Sequence, residues 1–292
     1  KIKKKYSDET VQCDPVCDFN ELDIKKPLLH CGDSRDLSFI PDESVDMVLT
    51  DPPFGANVMY SELIDFFHVW NYKSSLAQEL GFSEPLSPKN NEIIVNETRN
   101  LTQDDYSDGL YTVFSECKRV LKENGFMIFS FHDSSLESWE SLLQGLNNAG
   151  FSLIRAYPLH SETRTGAHTS NKNSIALDIM LICKKSQDMR CSYDSTNQRD
   201  IYKKALEETE KAVTRLKNVN AEITVPDIQN IFLSQYFSEW NNAGVTMPDL
   251  VKNEEQFIKE SLCNIQEAFQ DIAIASKRTG WWSELYKQKW TM

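Results

Sequence analysis

The chain has no apolar run near the roughly 18 residues that a membrane span requires, and no secretory signal is visible in it. Neither membrane insertion nor export is expected. Its seven cysteines are scattered without the spacing of a disulfide framework, which fits a reducing, cytoplasmic setting. Cys13 and Cys17 stand four apart, yet no second Cys/His pair lies nearby to complete a zinc site. Positive charge is short as well: 31 Lys and Arg against 44 Asp and Glu give a net charge of −13. Phosphate contacts supply most non-specific affinity for nucleic acid. A nucleic-acid enzyme of this composition therefore relies on a local basic patch, on weak binding, or on another chain. Internal repeats and low-complexity tracts are missing too. The first residue is Lys1 rather than Met, which suggests a processed or truncated piece.

What is present suffices for a core: 292 residues, 40% of them hydrophobic. Residues 1–27 are polar, open on Lys1-Ile2-Lys3-Lys4-Lys5, and read as a tail or linker. Two short apolar runs follow, Leu28-Leu29-His30-Cys31 ending at Gly32-Asp33-Ser34, and Val45 to Thr50 ending at Asp51-Pro52-Pro53. Both stop at turn residues, as buried parallel strands do. Helical periodicity covers Tyr60 to Trp70 and Asp105 to Leu121, with a strand at Phe126 to Phe131 after Gly125. A helix over Leu136 to Ala149 stops at Gly150, and strands are expected at Phe151 to Tyr157 and Ser174 to Cys183, joined by a polar connection that includes Asn171-Lys172-Asn173. This alternation predicts an α/β fold, with a mainly parallel sheet and helices on both faces. A polar linker over 187–197 leads into a helical C-terminal region. The domain division is thus 1–27, 28–186 and 187–292. Phe232, Tyr236, Phe237 and Trp240 recur at helical spacing and are expected in a core.

The chemistry concentrates at Asp51-Pro52-Pro53-Phe54, at the carboxyl end of an expected strand, where doubly wound sheets bind their ligands. An exocyclic amine on a base is a poor nucleophile because its lone pair is delocalised into the ring. Two acceptors that hold its hydrogens pull the nitrogen toward tetrahedral geometry and aim that lone pair. The Asp51 carboxylate and the Pro52 carbonyl are suitable, and Pro52 and Pro53 fix the backbone that carries them. Phe54 offers a flat apolar face for a base turned out of its stack. A sulfonium methyl donor needs no covalent enzyme intermediate. The absence of a Pro-Cys nucleophile thus favours an amine over a ring carbon as the acceptor.

These residues stand in a longer ordered string: Asp51-Pro52-Pro53-Phe54, Asn57, Tyr60 and Leu63-Ile64-Asp65-Phe66-Phe67-His68-Val69-Trp70. Cys117 to Lys122, Phe129-Ser130-Phe131-His132, Asn173-Ser174-Ile175 and Asp178 to Leu181 continue it. From Leu28 to Lys185 the chain resembles the adenine-specific DNA methylases, S-adenosylmethionine-dependent amino-methyltransferases with a Rossmann-like class I sheet, of which this chain would hold only part. The resemblance implies that Asp51, Pro52, Pro53 and Phe54 hold the target amine and base. It implies that Asp33 and Ser34, with Asp51, lie beside the methyl donor, Asp33 near its adenine. Asn57 and Tyr60 then shape the base pocket, with His132 on the same ligand-bearing edge. Phe66, Phe67 and Trp70 are expected in the core rather than in the site.

The family's donor site also requires a Gly-rich loop, where backbone approaches the methionine part of S-adenosylmethionine. Among the ten glycines no pair forms Gly-x-Gly, and Asp-Pro-Phe-x-Gly does not occur. In the family's sheet two central strands lie between the strand ending at Asp33 and the strand ending at Asp51. Neither flank of this sequence supplies them, so a second polypeptide or an upstream segment is expected to complete the sheet and the donor site. The expected activity is DNA adenine-N6 methylation, as in restriction–modification or a related system. Cytosine-N4 methylation of DNA, guanine-N2 methylation of RNA, and a non-catalytic methyltransferase-like subunit remain the alternatives.

Overall fold

The structure, a computed structural model, describes residues 14–30, 32–75, 84–159, 175–186, 194–245 and 247–268. Cys13, Cys31, the Asn171-Lys172-Asn173 segment and residues 187–193 of the polar linker lie outside these. The described elements are β1 (Val45–Thr50), α1 (Tyr60–Asn71), α2 (Gln103–Val120), β2 (Leu121–Phe131), α3 (Leu136–Asn148), β3 (Phe151–Leu159) and β4 (Asp178–Lys185), then α4 (Gln198–Asn218), α5 (Val225–Asn242) and α6 (Met247–Ala268). The fold is mixed α/β with a helical C-terminal region, as the alternation of patterns predicted. Among the described residues no helix is long and apolar enough to cross a membrane.

The sheet order is β1-β2-β4-β3. β1 pairs in parallel with β2, whereas β4 runs antiparallel to both β2 and β3. Three strands thus point one way and β4 is inserted against them. The expectation of a mainly parallel sheet therefore holds for strand direction but for only one hydrogen-bonded pair. Periodicity reports burial, and burial is the same for a central strand in either direction.

A second expectation fails outright. The run at Leu28 enters no strand of this sheet; Leu28 makes one isolated bridge to Val16, and Leu29 is exposed. A strand exists only where a neighbour takes up its backbone groups, and the described chain offers this run none beyond Val16.

Caps fix the helix starts. Thr102 and Asp105 form a reciprocal box at α2, Thr224 and Asp227 form one at α5, and Ser135 caps α3. Gly150, at φ +79°, turns the chain from α3 into β3. The core is continuous from the sheet into the C-terminal helices. Trp139 of α3 meets Phe131 of β2 edge-on at 4.9 Å and Phe237 of α5 at 5.8 Å. Phe232, Tyr236, Phe237 and Trp240 are fully buried there.

Candidate active site

β1 and β2 run side by side, so their carboxyl ends deliver Asp51 and the Ser130–His132 segment to one edge of the sheet. The Ser130 hydroxyl donates a hydrogen bond to Asp51 Oδ1. That contact anchors one oxygen of an exposed carboxylate. The following turn is held from below: the phenol of Tyr106, on α2, donates to the Pro53 carbonyl at 2.7 Å. Burial pushes the Tyr106 phenol well above its ordinary pKa, so it stays a neutral donor. The Tyr106 phenol thus holds the Pro53 carbonyl, and with it the backbone of the turn.

Gly55 ends the turn at φ +50°, in the left-handed region. A Cβ there would stand 2.7 Å from Ser138 Oγ and 3.2 Å from Asp133 Oδ2. Gly55→Ala is expected to destabilise the protein by about 1–2 kcal/mol, from backbone strain and the close approach together. Thermal unfolding against wild type measures it; an unchanged midpoint would contradict the turn geometry.

An open cleft of about 880 Å³ lies over the end of β1. Asp33, Ser34, Asp51, Pro52, Pro53 and Tyr60 line it, joined by Leu63, Ile64 and Phe67 of α1. The structure thus gathers six of the residues singled out from the sequence. Phe54, Asn57 and His132 are not among its lining residues. Phe54 is half-buried, its ring 5.4 Å from that of Phe131 and 4.8 Å from that of His132. His132 Nδ1 donates to Asp178 Oδ1 at 2.5 Å, which fixes the ring behind Phe54. Asn57 contributes its backbone N–H to the Phe54 carbonyl at 3.0 Å, closing the turn.

α1 is seated by its polar residues. Ser61 is buried and donates to Glu92, which also accepts from Arg99; Asp65 accepts from Ser87 and Lys89; His68 Nε2 donates to the Glu84 carbonyl. The Lys89 ammonium and the Ser87 donors hold the Asp65 carboxyl below the ordinary carboxylate range. The apolar residues of α1 face outward instead: Phe66 is 67% exposed, Phe67 59% and Trp70 76%. This corrects the expectation that they belong to the core. The helix has the right period, but the side it turns inward is the polar one.

Ser130 and Asp178 stand in the resembling string without a role of their own, and Tyr106 was not singled out; all three contribute to this edge. Ser130 and His132 left a signal, being two polar residues two apart on a strand whose other face is Phe129 and Phe131. Tyr106 left none, since an aromatic on the inner face of a helix reads as packing.

A family model described as DNA methylase matches residues 45–278, from the first residue of β1 into the chain beyond α6. The chain belongs to this DNA methylase family. The family comprises S-adenosylmethionine-dependent methyltransferases of DNA, and its model spans adenine-N6 and cytosine-N4 enzymes together. Among solved structures, a candidate DNA modification methylase of Thermus thermophilus is similar at 15% identity, over 65% of this chain and 73% of that one, with a TM-score of 0.29. A second structure of that protein, complexed with S-adenosyl-L-methionine, gives 16% identity over 62% and 72% of the two chains, also at 0.29. No curated protein matches the chain.

The described residues of this DNA methylase do not make a complete site for S-adenosylmethionine. Both oxygens of Asp33 accept from the Arg35 guanidinium, at 2.6 to 3.1 Å, and that pairing holds the carboxyl below its ordinary pKa. Both oxygens of Asp33 are thus engaged by Arg35 from within the described chain. Gly32 is the one glycine among the described residues that line the cleft, and the nearest atoms that a Cβ there would meet are those of the His30 ring. It forms no backbone cradle for the donor's methionine end.

The contact between Ser130 and Asp51 yields a separable expectation. Ser130→Ala frees the carboxylate to rotate without altering its charge. In an active assembly kcat should fall about tenfold with KM little changed, the loss of one hydrogen bond to a charged group. Ser130→Thr, which keeps the hydroxyl, should recover most of it. A rise in KM at constant kcat would instead make Ser130 part of substrate binding.

Proposed function

We propose that this chain is the base-holding part of a DNA adenine-N6 methyltransferase, with Asp51, Pro52, Pro53 and Phe54 as its working residues. The observation that carries the reading is the Asp51 carboxylate, exposed at the end of β1 and anchored at one oxygen by Ser130. Its second oxygen and the neighbouring Pro52 carbonyl can each accept one hydrogen of an exocyclic amine. Holding both hydrogens withdraws the nitrogen lone pair from the ring and aims it along the cleft. Phe54, backed by His132 and the His132–Asp178 pair, supports the base, and Tyr60 and Asn57 bound its pocket.

Asp33 and Ser34 line the donor side of the cleft together with Asp51. The rest of the donor site comes from a second polypeptide or an upstream segment with a Gly-rich loop. In this reading residues 28–186 carry the catalytic part, 1–27 a tail, and 187–292 a helical region that braces it, in the cytoplasm where DNA is the substrate.

The test is product analysis. The assembly isolated from its native source is incubated with DNA and labelled S-adenosylmethionine, and the DNA is digested to nucleosides. Label in N6-methyladenine is the expected result. Label in N4-methylcytosine would reassign the base, and label only in N2-methylguanine of added RNA would overturn DNA as the substrate.

A further inference from the structure

We infer that a second groove, between β3 and α4, holds the sugar–phosphate backbone of the DNA that flanks the target base. This rests on the proposed reading of the chain as part of a DNA methyltransferase. The groove has a volume of about 790 Å³. β3 lines it with Arg155 to Pro158, α4 with one face that runs from Lys204 to Leu216, and α5 with Gln235, Ser238 and Glu239.

Charge is the first argument. The chain carries a net −13, so contacts with a polyanion have to come from a local exception. α4 is that exception. It holds six basic side chains against four acidic ones, whereas every other described α-helix has more acidic than basic residues. Arg155, Lys204 and Arg215 stand exposed in the groove, and none of them pairs with a carboxylate of the described residues. The acids there are mostly engaged: Glu207 lies 3.9 Å from Lys203, and Glu208 lies 2.6 Å from Lys211. Glu239 is left without a described cation. Lys204 and Arg215 are eleven residues apart on α4, about 16 Å along the helix axis. No single phosphate reaches both, but a phosphodiester backbone does.

The backbone of β3 is the second. Its register shifts between Leu153 and Arg155, so that Leu153 pairs with Cys183 and Arg155 with Ile182. Without the extra residue, Arg155 and Tyr157 would follow Leu153 onto the covered face of the sheet. With it, Leu153 and Ala156 are buried while Arg155 and Tyr157 are exposed. Bulges re-aim side chains in this way. The edge of β3 is meanwhile closed to a further strand. The Leu153 N–H donates to Asn241 Oδ1 at 2.6 Å, Gln235 Nε2 donates to the Ala156 carbonyl at 3.0 Å, and Pro158 has no N–H to offer. An occupant of the groove therefore meets charged side chains rather than a strand edge.

The sheet supplies the third, because it sets the distance to the target base. β3 runs in the same direction as β1 and β2, so Arg155 to Pro158 lie toward the carboxyl edge that carries Asp51. Tyr157 pairs with Met180, and Met180 pairs with Ser130, which holds Asp51. Neighbouring strands stand about 4.8 Å apart, so the three steps from β1 to β3 amount to about 15 Å. At about 3.4 Å per base pair, that is about four base pairs from a base held at Asp51. The groove thus meets flanking backbone and takes no part in the chemistry.

The experiment uses the full chain as purified from its native source, with any partner it retains there. Arg155→Gln, Lys204→Gln and Arg215→Gln are made singly and together. Lys259→Gln, at an exposed position of α6, is the control of equal charge change. Fluorescence anisotropy of a labelled DNA duplex reads affinity against salt, and circular dichroism checks that each variant is folded. Each neutralisation in the groove should lower the slope of log affinity against log salt by about 0.9, and the triple variant by about 2.7, alike for every duplex sequence. Glu239→Gln should tighten binding, a direction in which a groove that serves only the fold would not respond. Under turnover the triple variant should raise KM for DNA about tenfold or more at unchanged kcat. The control should match wild type throughout. A slope unchanged in the triple variant, an equal loss in the control, or a poly-glutamate peptide bound as tightly as the duplex would each overturn the inference, the last by making the groove a site for an acidic protein. The two readings fail separately. A protein that methylates adenine in DNA while the triple variant keeps its affinity and KM refutes the groove and keeps the methyltransferase reading. A protein that binds DNA through these three side chains and methylates none keeps the groove and refutes that reading.

Discussion

Asp51→Ala, made in the complete assembly, should lower the rate of DNA methylation by about 100-fold or more while leaving the fold intact. Asp51 is exposed, and its one side-chain partner among the described residues is the Ser130 hydroxyl, which water can replace. Stability should therefore barely move, and a thermal midpoint close to wild type is part of the expectation. The loss arises in the chemical step. With the carboxylate gone, only the Pro52 carbonyl remains to hold an amine hydrogen, and the nitrogen lone pair relaxes back into the ring. Preorganised hydrogen-bond partners at a reacting group are typically worth about 10²–10³ in kcat. The Asn variant keeps the size and offers Ser130 an acceptor, but it can turn an N–H toward the target amine, so it should be no better than Ala. Single-turnover methylation with saturating DNA checks this, since it isolates chemistry from release. Unchanged activity in the Ala variant would identify the chain as a scaffold whose partner supplies the catalytic carboxylate.

The elements that were legible in the sequence are those whose burial is decided locally. The strand Val45–Thr50 stops at two prolines, α2 is announced by its Thr102–Asp105 box, and Gly150 marks the end of α3; all three follow from short-range rules. Asp51 was legible for the same reason, because proline punctuation and the end of a strand coincide there. What was not legible depended on neighbours. Leu28-Leu29 has the pattern of a strand but finds no sheet to join, and Phe66, Phe67 and Trp70 have the period of a core face but no described layer over them. The roles of Tyr106, Asp178 and Asp227 were not legible because each works through a contact some 50 residues away. No local window holds such a pair.

Asp227 shows what such a long-range contact sustains. It is the third residue of α5 and wholly buried, with no cation among the described residues hydrogen-bonded to it. Its Oδ2 accepts from the backbone N–H and hydroxyl of Thr224, capping the helix, while Oδ1 accepts from the N–H groups of Ala176 at 2.8 Å and Leu177 at 3.0 Å. The helix N-terminus further favours a negative charge at this position. Asp227→Ala would leave those buried donors unsatisfied at once, and each such group costs about 1–3 kcal/mol. Relaxation and water entry recover part of this, so a net loss of about 3–5 kcal/mol is expected, among the largest for a single substitution. The effect should not stop at stability. Ala176 and Leu177 lead directly into Asp178, whose carboxylate orients His132 behind Phe54. Further along α5, Asn230 Oδ1 accepts from the Asp133 N–H and from the Trp139 indole at 3.3 Å, bracing the same edge from the same helix. Well below its melting temperature, the Ala variant should therefore still lose methylation activity. Asp227→Asn, which can serve Ala176 and Leu177 through its amide oxygen but opposes the Thr224 N–H, should lose less of both. If unfolding and activity in the two variants do not fall in that order, the C-terminal helices support the fold without setting the geometry of the catalytic edge.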